Sequence, residues 1–192
     1  MDEVNFIYLL KSKDPAAFKE LVDIFRDRVY NTSLGLLQNP EDAEDISQEI
    51  FIEIFQSISA FKGKSKLSTW IYRITIQKSL ELLRKRNRKK RSGTLLSLFG
   101  KEHLINAPAT AQFYHPGVKL ENKERAAILF QALNKLPQNQ RTAFTLHKTE
   151  DLSYAEIAEI MGVSVSSIES LMFRAKQNLQ KFLSFYYEKN EK

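Results

Sequence analysis

A chain of 192 residues, 43% hydrophobic and 27% charged, has room for one domain or two small ones with a core, which excludes a large multidomain enzyme and wholesale disorder. The absence of cysteine excludes disulfide scaffolds, thiolate nucleophiles and cysteine-ligated zinc sites, and favours a reducing compartment. The 29 lysines and arginines exceed the 23 acidic residues, and the resulting net charge of +6 favours a polyanionic partner.

The N-terminal segment MDEVNFIYLL is acidic before its apolar stretch, which is the wrong polarity for a signal peptide. No run of about 18 apolar residues follows anywhere in the sequence. We therefore expect a cytoplasmic protein that does not insert directly into a membrane.

Residues 14–91 carry dense helix signals. Asp14 and Asn39 are predicted N-caps, and each precedes a proline at the first helical position. Apolar residues recur at helical spacing after both caps, so two amphipathic helices are expected. From Asp14 to Glu53 ten acidic residues stand against three basic ones, a balance of −7, which makes the exposed face of the second helix acidic.

Lysines alternate with aromatic residues between Phe61 and Arg73. This combination suits a single nucleic-acid strand, because cations follow the phosphates while rings stack on unpaired bases. Trp70 has a second interpretation as a core residue, since it has helical spacing with Leu67 and Ile74. The third helix, which starts in this region, ends in a run with eight basic residues against one acidic residue over positions 78–91, a balance of +7.

Residues 92–120 lose helical periodicity and collect glycine and proline, which is typical of a linker. Helical periodicity resumes at Glu121. The predicted fold is therefore all-α, with two small helical domains joined by a flexible linker. The linker can extend to about 100 Å, but its relaxed span is only about 30 Å, so the domains are free to collapse together in solution.

A helix-turn-helix motif is indicated near the C-terminus. Residues 153–156, SYAE, have capping-box spacing, Gly162 suits a left-handed turn, and Ser164 offers a second N-cap. Such a second helix can enter the major groove, although an ordinary αα-hairpin has the same spacing and Glu169 repels phosphate. The expected inward face of this helix consists of Ile168, Met172, Ala175 and Leu179.

These segments together resemble a known family. Domain 2 of the extracytoplasmic-function (ECF) sigma factors of bacterial RNA polymerase resembles NPEDAEDISQEIFIEIFQSISAFKGKSKLSTWIYRI and the basic helix after it. Their domain 4 resembles LPQNQRTAFTLHKTEDLSYAEIAEIMGVSVSSIESLMFRAKQNL. The resemblance implies domain 2 at residues 1–91, a linker at 92–120 in place of domain 3, and domain 4 at 121–192.

The function implied by the resemblance is promoter-specific initiation. The protein would bind RNA polymerase core, direct it to specific promoters and melt the minus-ten element. Domain 2 would dock on the clamp helices of the largest subunit, domain 4 on the flap of the second largest, and an anti-sigma factor would hold the protein inactive. Because the polymerase supplies the catalysis, no catalytic residue, metal or cofactor is expected.

The resemblance also implies three sets of contact residues. The set for the polymerase core is Asp45, Gln48, Glu49 and Phe51. The set for minus-ten DNA is Phe61, Lys62, Lys64, Lys66, Ser68, Thr69, Trp70, Tyr72, Arg73 and Gln77, in which lysines hold the backbone and Trp70 and Tyr72 support the melted edge. The set for minus-thirty-five DNA is Ser153, Tyr154, Ser164, Ser166, Ser167, Ser170, Arg174 and Lys176.

Four positions depart from the commonest family pattern. Glu169 and Leu171 stand where many members have lysine and arginine, while Ile76 and Gln77 stand where a basic residue and asparagine are common. We expect the strength and sequence of the minus-thirty-five contact to differ accordingly, and likewise the sequence preference of the minus-ten contact.

The main alternative is a stand-alone helix-turn-helix repressor or activator that binds duplex DNA as a dimer. It explains the C-terminal motif, but it leaves the acidic helix and the lysine-aromatic loop without a role, and the sequence has no heptad seam for dimerisation. An enzyme is less consistent still, because His103, His115 and His147 have no metal-ligand spacing.

Overall fold

A computed structural model describes residues 3–96 and 128–190, with side chains placed for 3–88 and 128–184. These ranges contain helices and turns and no β-strand, which confirms the predicted all-α class. None of the described helices is long and apolar enough to span a membrane. The helices are α1 (Glu3–Lys11), α2 (Pro15–Leu37), α3 (Pro40–Ser57), α4 (Leu67–Leu96), α5 (128–134), α6 (Gln138–Thr149), α7 (Tyr154–Met161) and α8 (Val165–Asn190), with a 3-10 turn at Ile58–Ala60.

The predicted helix starts are confirmed by their caps. The Asp14 carboxylate accepts a hydrogen bond from the Ala17 amide at 2.8 Å, and the Asn39 side chain accepts one from the Asp42 amide at 3.0 Å. Both caps satisfy amides that have no partner within the helix, and both precede a proline at the first helical position.

The N-terminal domain is built from α1 to α4 around one apolar core. Leu21, Val29, Ile50 and Ile54 are fully buried at its centre, and each contributes about 1.5–3 kcal/mol by leaving water. The separate helix α1 was not predicted, and it adds Phe6 and Leu10 to the same core.

The C-terminal domain packs α5 to α8 together, and its helix-turn-helix has the predicted geometry. Ser153 accepts a hydrogen bond from the Glu156 amide at 3.3 Å and donates its own amide to the Glu156 carboxylate at 3.1 Å. Gly162 ends α7 with φ 67°. The four residues predicted to face inward on α8 are all buried.

The two domains contact each other directly, α2 against α6 and α4 against α7. Helix α4 continues to Leu96, past the predicted end of the first domain at Arg91. The rest of the predicted linker, from residue 97, lies outside the described residues. The collapse that the relaxed span of the linker allows is thus the arrangement observed.

Replacing Gly162 by alanine is expected to destabilise the protein by about 1–3 kcal/mol, because a Cβ is strained at positive φ although nothing lies within 4 Å to clash with it. Gly162→Asn, which tolerates this backbone better, is the matched control and should lose less. Urea unfolding measures both. Equal stability of wild type and Gly162→Ala would contradict the assigned turn.

Candidate functional site

Helix α3 carries the acidic face predicted from the sequence. Two of its acids pair with the basic helix α4: Lys78 contacts Glu53 at 3.2 Å, and Arg86 contacts Asp42. Burial of Asp42 raises the pKa of its carboxyl, and the Arg86 charge opposes that effect. These pairs hold α3 against α4.

The predicted core-binding residues lie elsewhere on α3. Asp45, Gln48 and Glu49 are exposed, and Phe51 is half-buried against the core. Within the described residues, neither Asp45 nor Glu49 has an ion-pair partner. These two carboxylates are therefore free to meet a basic partner without breaking a contact of this chain.

The aromatic residues before and within α4 are divided between core and surface. Phe61 is 4% exposed in the core, and its ring centre lies 5.3 Å from that of the half-buried Trp70. Thr69 is also buried. Phe61 and Thr69 therefore cannot contact DNA in this conformation, which corrects the expectation of a surface position. The core interpretation of Trp70 is partly right, because it packs on the same cluster.

Three other residues of the predicted minus-ten set contact the C-terminal domain. Tyr72 is 2% exposed in an apolar cluster that includes Leu146 of α6 and Ile157 of α7. The Arg73 guanidinium donates to the Glu159 carbonyl oxygen at 2.6 Å. Lys66 lies 3.4 Å from the Glu156 carboxylate. Of the rest of the set, Lys62, Lys64 and Gln77 are exposed and Ser68 is half-buried.

A partly buried hydrogen bond joins the domains. The Tyr72 hydroxyl donates to the Glu150 carboxylate at 2.8 Å, and Arg28 of α2 interacts with both side chains. Desolvation by burial raises the pKa of Glu150 to about 7, although the Tyr72 hydrogen bond and the Arg28 charge each lower it. Desolvation also raises the pKa of the Tyr72 hydroxyl. Asp151 adds to the shift at Glu150.

The start of α8 is a cluster of hydroxyl groups at the protein surface. The Ser164 oxygen accepts from the Ser167 amide at 3.2 Å and lies within 3.0 Å of the Ser166 and Ser167 hydroxyls. Ser170 is also exposed. Such a turn presents backbone amides and short polar groups that suit a phosphate or a base edge.

The remaining residues of the minus-thirty-five set divide by exposure. Arg174 and Lys176 are exposed on α8, and the exposed Ser153 forms the α7 cap. Tyr154 is half-buried, with its ring centre 5.1 Å from that of His147. Phe173, which the predicted set leaves out although its spacing predicts an exposed position, is 63% exposed beside Arg174. In the part of the chain that the structure describes, no group of three His or acidic side chains could hold a metal ion.

Comparisons with known proteins match both domains. Residues 21–89 match the model of Sigma-70 region 2, and residues 119–179 match that of Sigma-70 region 4. The ECF RNA polymerase sigma factor SigW of Bacillus subtilis (strain 168) is 32% identical over 177 residues, covering 91% of this chain and 92% of SigW. The chain belongs to the ECF sigma factors. The predicted resemblance is therefore confirmed, and with it promoter-specific transcription initiation together with RNA polymerase; the repressor alternative is not favoured.

Two solved structures share the fold of this sigma factor. CnrH, in complex with the cytosolic domain of CnrY, has a TM-score of 0.68 at 19% identity over 95% of this chain and 97% of CnrH. The sigma factor RpoE in complex with the anti-sigma factor NepR, from Bartonella quintana, has a TM-score of 0.65 at 24% identity over 87% of this chain and 96% of RpoE.

The domain contact of this sigma factor is expected to weaken as the pH rises through about 7, the raised pKa of Glu150. A carboxyl whose pKa is raised by packing binds its proton more tightly in the packed state, so packing is strongest below the ordinary pKa of glutamate. The radius of gyration, measured by X-ray scattering, should increase between about pH 5 and pH 7.5, because the stabilisation is lost between the ordinary pKa of glutamate and the raised one.

Glu150→Gln is the control, because the amide oxygen still accepts from Tyr72 but carries no titrating charge. Its radius of gyration should stay constant over the same range. A wild-type value that does not change with pH would refute the role of Glu150.

Proposed function

We propose that the two domains carry three surfaces used in transcription initiation, one that binds the polymerase and two that bind DNA. The exposed face of α3 binds the clamp helices of the polymerase's largest subunit, the loop and first turns after Phe61 bind the minus-ten element, and the start of α8 binds minus-thirty-five DNA. The observation that carries this proposal is the pair of exposed, unpartnered carboxylates of Asp45 and Glu49 on α3, a helix on which Asp42 and Glu53 pair with α4.

The core-binding surface consists of Asp45, Gln48 and Glu49, with Phe51 at its edge. A charged contact that is desolvated on binding gives orientation and specificity, and Asp45 and Glu49 lose no internal partner when they form it. Their spacing of four residues places both on one face of α3.

The minus-ten surface combines exposed lysines with Trp70. Lys62, Lys64 and Lys66 surround the turn at Gly63, where they can contact successive phosphates. Trp70 is half-buried, so one part of its ring is fixed by the core and another part is available to an unpaired base. Tyr72 and Arg73 join this surface only when the C-terminal domain moves away.

The minus-thirty-five surface is the first two turns of α8. Ser166, Ser167 and Ser170 are placed to read base edges, and Arg174 and Lys176 to contact phosphates. Domain 4 also binds the flap of the second largest subunit. Glu169 is exposed among these residues. Its carboxylate repels phosphate and would accept a hydrogen bond from a cytosine amino group.

The lack of catalysis, the compartment and a further partner of the protein are proposed from this function. The polymerase carries out the chemistry, so the sigma factor itself is not an enzyme and acts in the bacterial cytoplasm. We also propose an anti-sigma factor as a partner, by analogy with RpoE, which is bound to NepR in its solved structure.

Run-off transcription tests the proposal as a whole. Core polymerase is supplied with this protein on genomic fragments from the source organism. Protein-dependent transcripts that start downstream of a shared pair of sequence elements are expected. If transcription by the polymerase does not depend on the protein, while the protein alone footprints duplex DNA, the repressor alternative is favoured instead.

Charge reversal on α3 should abolish core binding. The variant Asp45→Lys/Glu49→Lys replaces two attractive contacts by repulsive ones, and its affinity for core polymerase should fall by about 100-fold or more. The matched control is Glu20→Lys/Asp23→Lys, which reverses two exposed acids on α2. Far-UV circular dichroism checks the fold, and a core affinity equal to that of the control would refute the docking face.

Arg174→Ala should weaken minus-thirty-five binding by a similar factor for all sequences and reduce the salt slope by about one, because a phosphate contact carries no sequence information. Holoenzyme binding to promoter fragments at several salt concentrations measures both. Lys181→Ala, farther along α8, is the control. A changed order of promoter preference with an unchanged salt slope would instead make Arg174 a base reader.

A further inference from the structure

We propose that Phe173 of α8 is a specificity-determining residue that contacts thymine methyl groups in the minus-thirty-five element, beside a cytosine contact made by Glu169. The role of Phe173 rests on the proposed function, because it specifies which bases the start of α8 recognises. Three features of α8 support it: the exposure of the ring, its place on the helix, and the chemistry of the side chains around it.

The Phe173 ring has no apolar partner within the described part of the chain. It is 63% exposed and belongs to none of the three apolar clusters that the described residues form. A single exposed apolar side chain is ordinary on a protein surface. The place of the ring on α8 therefore decides whether it has a function.

Phe173 lies on the outer face of α8. Successive residues of a helix are rotated by about 100°, so Ser166, Ser170 and Phe173, at spacings of four and three residues, lie along one line. The buried side of α8 is opposite to this line and consists of Ile168, Met172, Ala175 and Leu179. When such a helix enters the major groove, its outer line faces the base edges on the groove floor.

The exposed cations of this part of α8 lie to the two sides of that line. Arg174 is rotated by about 100° from Phe173 in one direction, and Lys176 by about 60° in the other. These positions suit phosphates on the two walls of the groove. The floor-facing line itself carries two hydroxyls and an aromatic ring, without the cationic donor that most often reads guanine.

The two positions where lysine and arginine are common in the family carry different chemistry here. Glu169 is exposed one turn before Phe173, and no salt bridge among the described residues neutralises its charge. Leu171 packs on the apolar cluster of the C-terminal domain. One guanine-reading donor is thus replaced by an acceptor, and the other by a core residue.

The chemistry that is left on this face selects pyrimidine features. Thymine presents its C5-methyl group in the major groove, and contact with a phenylalanine ring removes apolar surface of both from water. The Glu169 carboxylate has only acceptor oxygens, which match the N4 amino group of cytosine. We therefore expect a minus-thirty-five element in which thymine lies close to cytosine on the strand that α8 contacts.

Replacement of thymidine by deoxyuridine tests the methyl contact, because the two differ only in the C5-methyl group. Holoenzyme first selects its preferred sequences from promoter fragments with a randomised minus-thirty-five element. Each thymidine of the selected element is then replaced in turn. Wild-type affinity should fall by about fourfold at one position at least, whereas Phe173→Ala holoenzyme should bind both duplexes equally.

Two further variants separate a base contact from a structural role of the ring. Phe173→Leu keeps an apolar side chain and should still bind the thymidine duplex more tightly. Tyr8→Ala removes a 67% exposed aromatic ring from α1, and this matched control should discriminate like the wild type. Wild-type holoenzyme that binds both duplexes equally at every position, or selects no thymine, overturns the proposal. If it selects no sequence at all, the proposed function of α8 fails instead.

Glu169→Lys tests the neighbouring contact, because lysine donates to guanine where glutamate accepts from cytosine. The preferred base pair at the contacted position should change from C·G to G·C, with a change in relative affinity of about tenfold. Glu20→Lys, which makes the same charge change at an exposed position of α2, is the control and should leave the selected element unchanged. A Glu169→Lys holoenzyme that selects the wild-type element would contradict the cytosine contact.

Discussion

The approach of α2 to α6 at Gly35 is the contact on which the arrangement of the two domains depends. With no side chain there, Thr145 lies against the backbone of α2, and that distance lets Tyr72 reach Glu150 across the interface. The buried polar pair is favourable only if both partners are in place, because a buried carboxylate without a donor is costly. Tyr72 lies within an apolar cluster, and Glu150 is half-buried beside it. Packing, hydrogen bonding and charge thus all favour the same closed arrangement.

The charges of the N-terminal domain are separated in a way that serves two purposes. Acids at the two ends of α3 bind bases of α4 and stabilise the domain, while the acids between them stay free. The lysines before α4 are likewise exposed, and Lys66 among them faces Glu156. One small domain can therefore present a negative surface to a protein and a positive surface to DNA, provided that neither surface is neutralised internally. In the observed contact between the domains only the positive surface is partly covered.

The local structure was predictable from the sequence because local rules determine it. Caps at Asp14, Asn39 and Ser153, the turn at Gly162 and the buried face of α8 follow from spacing alone. The domain contact was not predictable in detail, since Gly35 is distant in sequence from Thr145 and Glu150 and nothing in the sequence pattern pairs them. The burial of Phe61 and Thr69 was missed for a related reason: a resemblance assigns a role to a position, but packing decides which way its side chain turns.

The most direct test of this account is the distance between the domains in the free chain and in the promoter complex. Single cysteines introduced at the exposed positions Glu20 and Lys181 allow labelling with a donor and an acceptor dye. We predict high energy transfer in the free protein and almost none in the polymerase–promoter complex, where elements about 23 base pairs apart place the domains roughly 78 Å from each other. Equal energy transfer in the free protein and in the promoter complex would contradict the observed domain contact or the binding of the two domains to separate promoter elements.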